Sequence, residues 1–394
     1  MATAKYTLKE VKREDKRLVR EFLELPKRIY KNTPEWVCPF DSSIEAVFDP
    51  AKNKLFQDGE AIRWVAYNAE GECVGRIAAF YDKTHAYSYE QPTGGCGFFE
   101  AIDDQELANF MFDASRDWLK ERGMEAMDGP VNFGSRDAWW GLLVEGYEYQ
   151  PLFENPYHLP YYKALFENYG FKNYFNQNTY VWNVDDDDVA EVVHDRVKRL
   201  MATPGYRFAP IGDEDLYSAV EKFRNIYNKA WALFTGVQPM EVEEARAMAD
   251  TMRPIVDRNL IWFSYFNDEP IGFFIMVPDL NRLVGKYNGK FGIINKLRMM
   301  WDLKVRKKCD RILAIIFGIT PEFQGKGVES GFMKAMLDGF IRTKKNHYRS
   351  VEFAWIGDFN PVMNRMVERY ICARRHKMHT TYRYLFDREK EFTR

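Results

Sequence analysis

The sequence predicts an α/β protein of two tandem domains, each a mostly antiparallel mixed sheet flanked by helices. Three observations lead there. The chain has 394 residues, 46% of them apolar, which is ample for two cores. Its two halves repeat in order, with a period near 200. One stretch, Arg311 to Leu337, reads as a buried strand, a tight glycine turn and an amphipathic helix.

The elements follow in order. Tyr6-Thr7-Leu8 opens a strand before a charged turn and a helix with Asp15 and Glu21; Tyr206-Arg207-Phe208 does the same before Asp215 and Glu221. Trp64 to Phe80 alternates across a polar turn as a hairpin does, and Trp262 to Val277 repeats it. Gly75 then stands opposite Gly272. Late in each half, Glu167-Asn168-Tyr169-Gly170-Phe171 faces Glu368-Arg369-Tyr370-Ile371-Cys372. These blocks divide the chain into a first domain at 1–184, an acidic linker and helix at 185–205, and a second domain at 206–394. The linker opens on Asp185 to Asp188, four acids at a helix start, where the dipole favours them.

Composition excludes several classes. The net charge of -2 carries no polyelectrolyte signal, so nucleic acid is not an expected partner. Five scattered Cys with no C-x-x-C spacing suggest neither zinc nor a disulfide framework, and no metal site is expected. The N-terminal residues lack an apolar leader core, and no run is long enough to span a bilayer. A cytoplasmic protein is the expectation.

The stretch from Arg311 carries the chemistry. Ile312, Leu313, Ile315, Ile316 and Ile319 form the strand, and Pro321 ends its ladder because it has no N–H. Gln324, Gly325, Lys326 and Gly327 make the turn; Phe332, Met333, Met336 and Leu337 return at helical spacing. A helix starting there leaves N–H groups unpaired at its positive end, an anion site that the glycines let a ligand approach. Lys326 is followed by Gly327, not Ser or Thr, so this is no Walker A loop. Ser330 breaks the dinucleotide fingerprint. The segment Gln324-Gly325-Lys326-Gly327-Val328-Glu329 resembles motif A of the GNAT superfamily of acyl-CoA N-acyltransferases, Q/R-x-x-G-x-G/A, with Glu329 where a small residue is usual. The order of elements in each half is similar to the GNAT fold, so the resemblance extends over nearly the whole chain as a tandem pair. It also resembles a subgroup of bacterial tandem proteins of similar length.

That resemblance implies an acyl-CoA, acetyl-CoA or longer, as co-substrate, held by the amides of Gly325, Lys326, Gly327 and Val328. It implies an oxyanion donor near Ile319, and Asn360 at the start of the penultimate helix. The first half has Phe98 to Glu106 in place of the glycine turn, with no glycine and acids beside the expected helix start, so it reads as a degenerate copy. The Tyr that serves as acid in many GNAT members is Val367 here, and Phe166 in the first half. Tyr370 lies one turn away as a substitute. Asp358 and Glu352 share a strand face, and Asp358 is the better base by its place at the strand end. The insertion at 133–155, aromatic and punctuated by glycines, either lines an acceptor pocket, with Glu145 as its acid, or caps the domain interface.

A basic tract separates the second hairpin from the core strand. Residues 281–311 hold ten Lys or Arg against Asp302 and Asp310, with Phe291, Ile293, Ile294, Leu297, Met300, Trp301 and Val305 as an apolar stripe. Packing on the sheet, contact with anionic substrate and peripheral membrane contact through 286–308 all fit that pattern. The functional expectation is an acyl-CoA-dependent N-acyltransferase acting on a small-molecule or peptide amine. A non-catalytic acyl-CoA-binding protein and a Fem-like tRNA-dependent aminoacyl transferase are the alternatives.

Overall fold

The computed structural model describes residues 5–88, 90–185, 188–231, 239–343 and 346–394. Asp186 and Asp187 of the acidic linker lie outside them. Among the described residues thirteen strands form one sheet. In the first half these are β1 (Tyr6–Glu10), β2 (Gly59–Asn68), β3 (Cys73–Asp82), β4 (Thr93–Ala101), β5 (Ala126–Gly129), β6 (Leu142–Glu145) and β7 (Lys172–Asn183). In the second they are β8 (Tyr206–Pro210), β9 (Ile261–Phe266), β10 (Glu269–Pro278), β11 (Arg311–Ile319), β12 (Ser350–Gly357) and β13 (Arg374–Leu385). Both expected hairpins are present as β2–β3 and β9–β10.

The spatial order is β1-β2-β3-β4-β5-β13-β7-β12-β11-β10-β9-β8, with β6 added beside β13. Its middle is exchanged. The last strand of the second half, β13, pairs with β5 of the first; the last strand of the first half, β7, pairs with β12 of the second. The two long strands also pair antiparallel with each other, from Arg374 opposite Val181 to Arg383 opposite Lys172. The division of the chain at 184 and the division of the sheet therefore do not coincide. Apart from this exchange and the added β6, the two halves run through the same order of strands.

Each half contains one parallel pair that separates. β4 and β5 pair only from Thr93 to Gly95, and β11 and β12 only from Arg311 to Ala314. Beyond those residues the strands splay into a wedge. The strand before the wedge is bulged in both halves, near Phe98 opposite β3 and at Ile315 opposite β10.

The insertion after Phe133 forms β6 and then an arm that reaches into the second half. Arg311 Nη2 donates to Pro151 O at 2.9 Å, Asn281 Nδ2 to Leu152 O at 2.8 Å, and the amide of Phe153 to Asp279 Oδ1 at 2.8 Å. These bonds satisfy backbone groups that would otherwise be buried unpaired. Under the arm sits a buried charge cluster. Glu352 accepts from Lys377 Nζ at 2.6 Å and from Arg311 Nη1 at 3.1 Å, and Arg311 Nε donates to Asp279 at 2.6 Å.

Candidate functional site

The two wedges differ in what fills them. In the first half Phe99 stacks on Phe112 at 4.6 Å and meets Phe166 and Tyr162 edge-on. Glu100 is buried there, accepting from Tyr162 at 2.7 Å and Tyr30 at 2.8 Å, with Arg76 at 3.6 Å. Burial raises its carboxyl pKa above the ordinary value, and the Arg76 guanidinium and the two phenols work against that rise. The next helix, Gln105–Lys120, starts after residues 102–104 alone. Its N-cap Asp104 accepts from the Leu107 amide at 2.9 Å, so a protein carboxylate already occupies the positive helix end.

In the second half smaller or more flexible side chains stand at the corresponding helix positions. Met363, Met366 and Val367 replace Tyr162, Leu165 and Phe166. The wedge is accordingly open, as an apolar cleft of about 190 Å³. Its walls are Ile315 to Phe317 of β11, Phe353 to Ile356 of β12, Glu329, Phe332 and Met333 of the helix Val328–Met336, and Met363, Met366 and Val367 of the helix Pro361–Arg369.

The turn of residues 320–327 leads into that first helix. Gly325 and Gly327 have φ of 71° and 89°, the left-handed region in which an L side chain is strained. Gly327 is the N-cap, and no side chain caps this helix. The first intrahelical bond runs from Gly331 N to Gly327 O, so the amides before it have no helical acceptor. Gln324 turns inward, its Nε2 donating to Ile319 O at 2.9 Å. Lys326 is exposed, with Nζ 5.0 Å from the Phe323 ring centre. Two buried hydroxyls flank the turn without a hydrogen-bond partner among the described residues, Thr320 Oγ1 and Ser330 Oγ.

Glu329 meets a partner that no local pattern announces. Arg196, on the linker helix Glu191–Met201, lies 3.6 Å from its carboxylate, and the Arg196 Cζ sits 4.2 Å from the centre of the Tyr370 ring. Tyr370 Oη accepts from Arg196 Nη2 at 2.9 Å. The misplaced acid of the motif is thus balanced by a cation from the linker.

The strand facing the turn carries a second irregularity. Trp355 has φ of 62°, strained for a bulky residue, where the β12–β7 register shifts between Phe353 and Ile356. Its indole Nε1 is buried without a partner in the wall of the cleft. Nothing in the local pattern FAWIG marks it.

The sequence-predicted residues fall into two groups. Gln324, Gly325, Lys326, Gly327 and Val328 form the turn and helix start, and Asn360 lines the cleft while capping its helix through Met363 N at 3.1 Å. Ile319 pairs regularly with Gly272; the bulge lies four residues earlier, at Ile315. The three acid–base candidates are not among the cleft-lining residues. Asp358 accepts from Asn176 Nδ2 at 3.1 Å and pairs with Arg394. Glu145 is half-exposed in an ion pair with Arg375 at 3.1 Å. Tyr370 packs under Arg196. Glu352 is buried in the charge cluster, where Lys377, His376 and Arg311 outweigh burial and hold its carboxyl well below the usual range.

A splayed parallel pair and a bulge before the wedge recur in each half, and in the second half a glycine turn leads into the helix. A tandem GNAT protein from the clavulanic acid biosynthesis pathway matches this chain with a TM-score of 0.54 at 12% identity, over 97% of this chain and 98% of that one. The chain has a two-domain GNAT fold. A fungal multi-domain GH3 β-N-acetylglucosaminidase with a GCN5-related glucosamine N-acetyltransferase region matches with a TM-score of 0.56 at 11% identity, over 98% of this chain and 38% of that one. Two sequence relatives align along nearly their whole length. One is a bacterial ceramide synthase of Caulobacter vibrioides, 27% identical over 89% of this chain and 90% of that protein. The other is protein YghO of Escherichia coli, 26% identical over 92% of each chain. No protein-family model matches.

Proposed function

We propose that this protein is an acyl-CoA-dependent N-acyltransferase whose single acyl-CoA site is the wedge of the second half, and whose acceptor is a long-chain lipid amine. The observation that carries the reading is the contrast between the wedges. One is plugged by aromatic rings and closed at its helix end by Asp104; the other is an open apolar cleft reached past an uncapped glycine turn.

The amides of residues 325–328 would take the pyrophosphate, with the helix dipole behind them. The pantetheine arm would lie between β11 and β12, where pairing stops at Ala314 and backbone groups facing the wedge have no ladder partner. The thioester carbonyl then reaches the amides beside the Ile315 bulge, with the Trp355 indole N–H as a second donor in the same wall. Attack by the amine forms the C–N bond and breaks C–S. The ammonium releases one proton and the departing thiolate takes one up, so the balance closes without Asp358, Glu145 or Tyr370. The acceptor class is supported by the relative called a bacterial ceramide synthase, since a ceramide is an N-acylated sphingoid base. The apolar lining of the cleft suits a long acyl chain.

The test is calorimetry with acetyl-CoA and long-chain acyl-CoAs, followed by turnover with a sphingoid base. Saturable binding that Gly327→Trp abolishes, with circular dichroism unchanged, is the expected result. An added Cβ at Gly327 meets only Arg196, its carbonyl O at 3.9 Å and its Cβ at 4.0 Å, so the indole blocks the approach to the amides and the strain of a side chain at φ 89° is confined to the turn. Absence of binding by every acyl-CoA would overturn the proposal; binding without turnover would remove its catalytic half.

A further inference from the structure

The basic tract forms the helix Ile293–Lys304, and it faces the opposite way from an ordinary packed helix. Its buried side is narrow: Met299, Asp302 and Leu303. Its large apolar residues point to solvent. Ile293 is 77% exposed, Ile294 and Leu297 67%, Trp301 59% and Val305 56%. At about 100° per residue these five span roughly 120° of the helix, centred opposite the buried side. Scattered exposed apolar side chains need no explanation, but a contiguous stripe of five does.

The rim of the stripe is positive. Lys296 and Arg298 flank it on its two sides, and Lys290 and Lys307 stand at its ends. All four are exposed, and among the described residues none has an acidic partner within ion-pair distance. The only acid on the helix, Asp302, is buried and engaged by Lys286, Arg306 at 3.3 Å and Lys308 at 3.6 Å. The platform is also held firmly. Phe291, just before the helix, stacks on Phe40 of the first half at 4.0 Å, and the Asp41 amide donates to Gly289 O at 2.9 Å. No helix of the described residues is long and apolar enough to cross a membrane.

We infer that this helix docks the protein on an anionic phospholipid surface, lying in the plane of the interface. Ile293, Ile294, Leu297, Trp301 and Val305 enter the boundary between headgroups and acyl chains, and Lys290, Lys296, Arg298 and Lys307 meet the phosphates. Charge complementarity selects this occupant: a rim of unpaired cations around an apolar stripe matches an anionic bilayer. The inference stands on the surface alone and does not rest on the acyl-transfer reading.

The experiment is flotation of the full chain with vesicles of phosphatidylcholine and phosphatidylglycerol in equal parts, against phosphatidylcholine alone. The wild type floats with the mixed vesicles and is released by salt. Leu297→Glu with Trp301→Glu lowers the bound fraction at least about tenfold, and Lys296→Glu with Arg298→Glu lowers it by about fivefold or more per site. Because all four residues are exposed, circular dichroism and acyl-CoA binding stay at wild-type values. Failure of the wild type to float would overturn the inference, as would flotation unchanged in both variants. A dimer in solution that Trp301→Glu dissociates, with no vesicle binding, would reassign the stripe to contact between copies.

Discussion

At the scale of single residues, the pairing of Glu329 with Arg196 is the most informative contact. Read along the chain, a carboxylate in the first turn of the helix proposed to bind pyrophosphate is a defect, because it competes with the ligand for the same donors. In the folded protein a linker arginine lies 3.6 Å away and neutralises it. The predicted outcome is that Arg196→Met weakens acyl-CoA binding by about two- to fivefold, the range of one partly exposed ion pair. Adding Glu329→Gln to Arg196→Met restores most of it. Isothermal titration of the single and double variants checks both statements, and equal loss in each would show that Arg196 acts only through packing on Tyr370. Glu329 was legible in the sequence as a departure from the motif. Arg196 was not, because it lies more than a hundred residues away and nothing local ties the two. Asp358 shows the converse: it sits where a base is expected, but the chain end brings Arg394 onto it.

At the scale of elements, the central strands carry the argument. Helices, hairpins and the glycine turn were legible because their signals are local: period 2 in the strands, period 3.6 in the helices, and positive φ at Gly325 and Gly327. The exchange of β7 and β13 was not, since a strand's hydrophobic pattern does not name its neighbour. Its consequence is specific. β13 pairs with β5, β6 and β7, all strands of the first half, so it closes that half and orients β7, which closes the second half against β12. Ending the chain at Ala373 is therefore expected to unfold both halves, including the aromatic plug around Phe99 and Phe166, and not only the second. Near-ultraviolet circular dichroism and limited proteolysis of the truncated chain test this; a protease-resistant fragment covering the first half would contradict it. The bulges belong to this scale too. They fall at corresponding places in both copies, yet one wedge is open and one is filled, because Phe166 and Tyr162 carry the bulk that Val367 and Met363 lack.

At the scale of the molecule, the junction between halves carries two buried histidines that make it sensitive to acid. His158 Nδ1 accepts from the Leu143 amide at 3.1 Å, and His379 Nε2 donates to Pro156 O at 2.9 Å, so both rings are neutral hydrogen-bonding groups. Burial holds their pKa values down, to about 3 for His158 and about 4 for His379. The unfolded chain titrates near 6.5 and so binds protons that the native protein does not. Their contribution is fully present above about pH 6.5 and is lost as pH falls toward 4, on the order of 3 kcal/mol for each ring. Loss from the depressed Glu352 carboxylate begins only below about pH 4.5, its ordinary value; above that, the lowered His347 and His376 add to the fall and the raised Glu100, Asp128 and Glu154 carboxyls oppose it. Chemical denaturation between pH 7 and pH 4.5 is expected to show a smaller fall in stability for His379→Gln, whose amide keeps the bond to Pro156, than for the wild type. Equal falls in the wild type and the variant would show that the His379 ring titrates normally.

The amino-acid sequence by itself determined the duplicated order of elements, the place of the glycine turn and the asymmetry between its two copies. All three rest on short-range steric and periodic rules that act within a few residues. Only the tertiary structure decided which strands close which half, which wedge is open, where the acids find their cations, and that the apolar stripe of the basic helix faces outward. Each of these depends on the volumes and charges that distant segments bring together, and no local pattern encodes them.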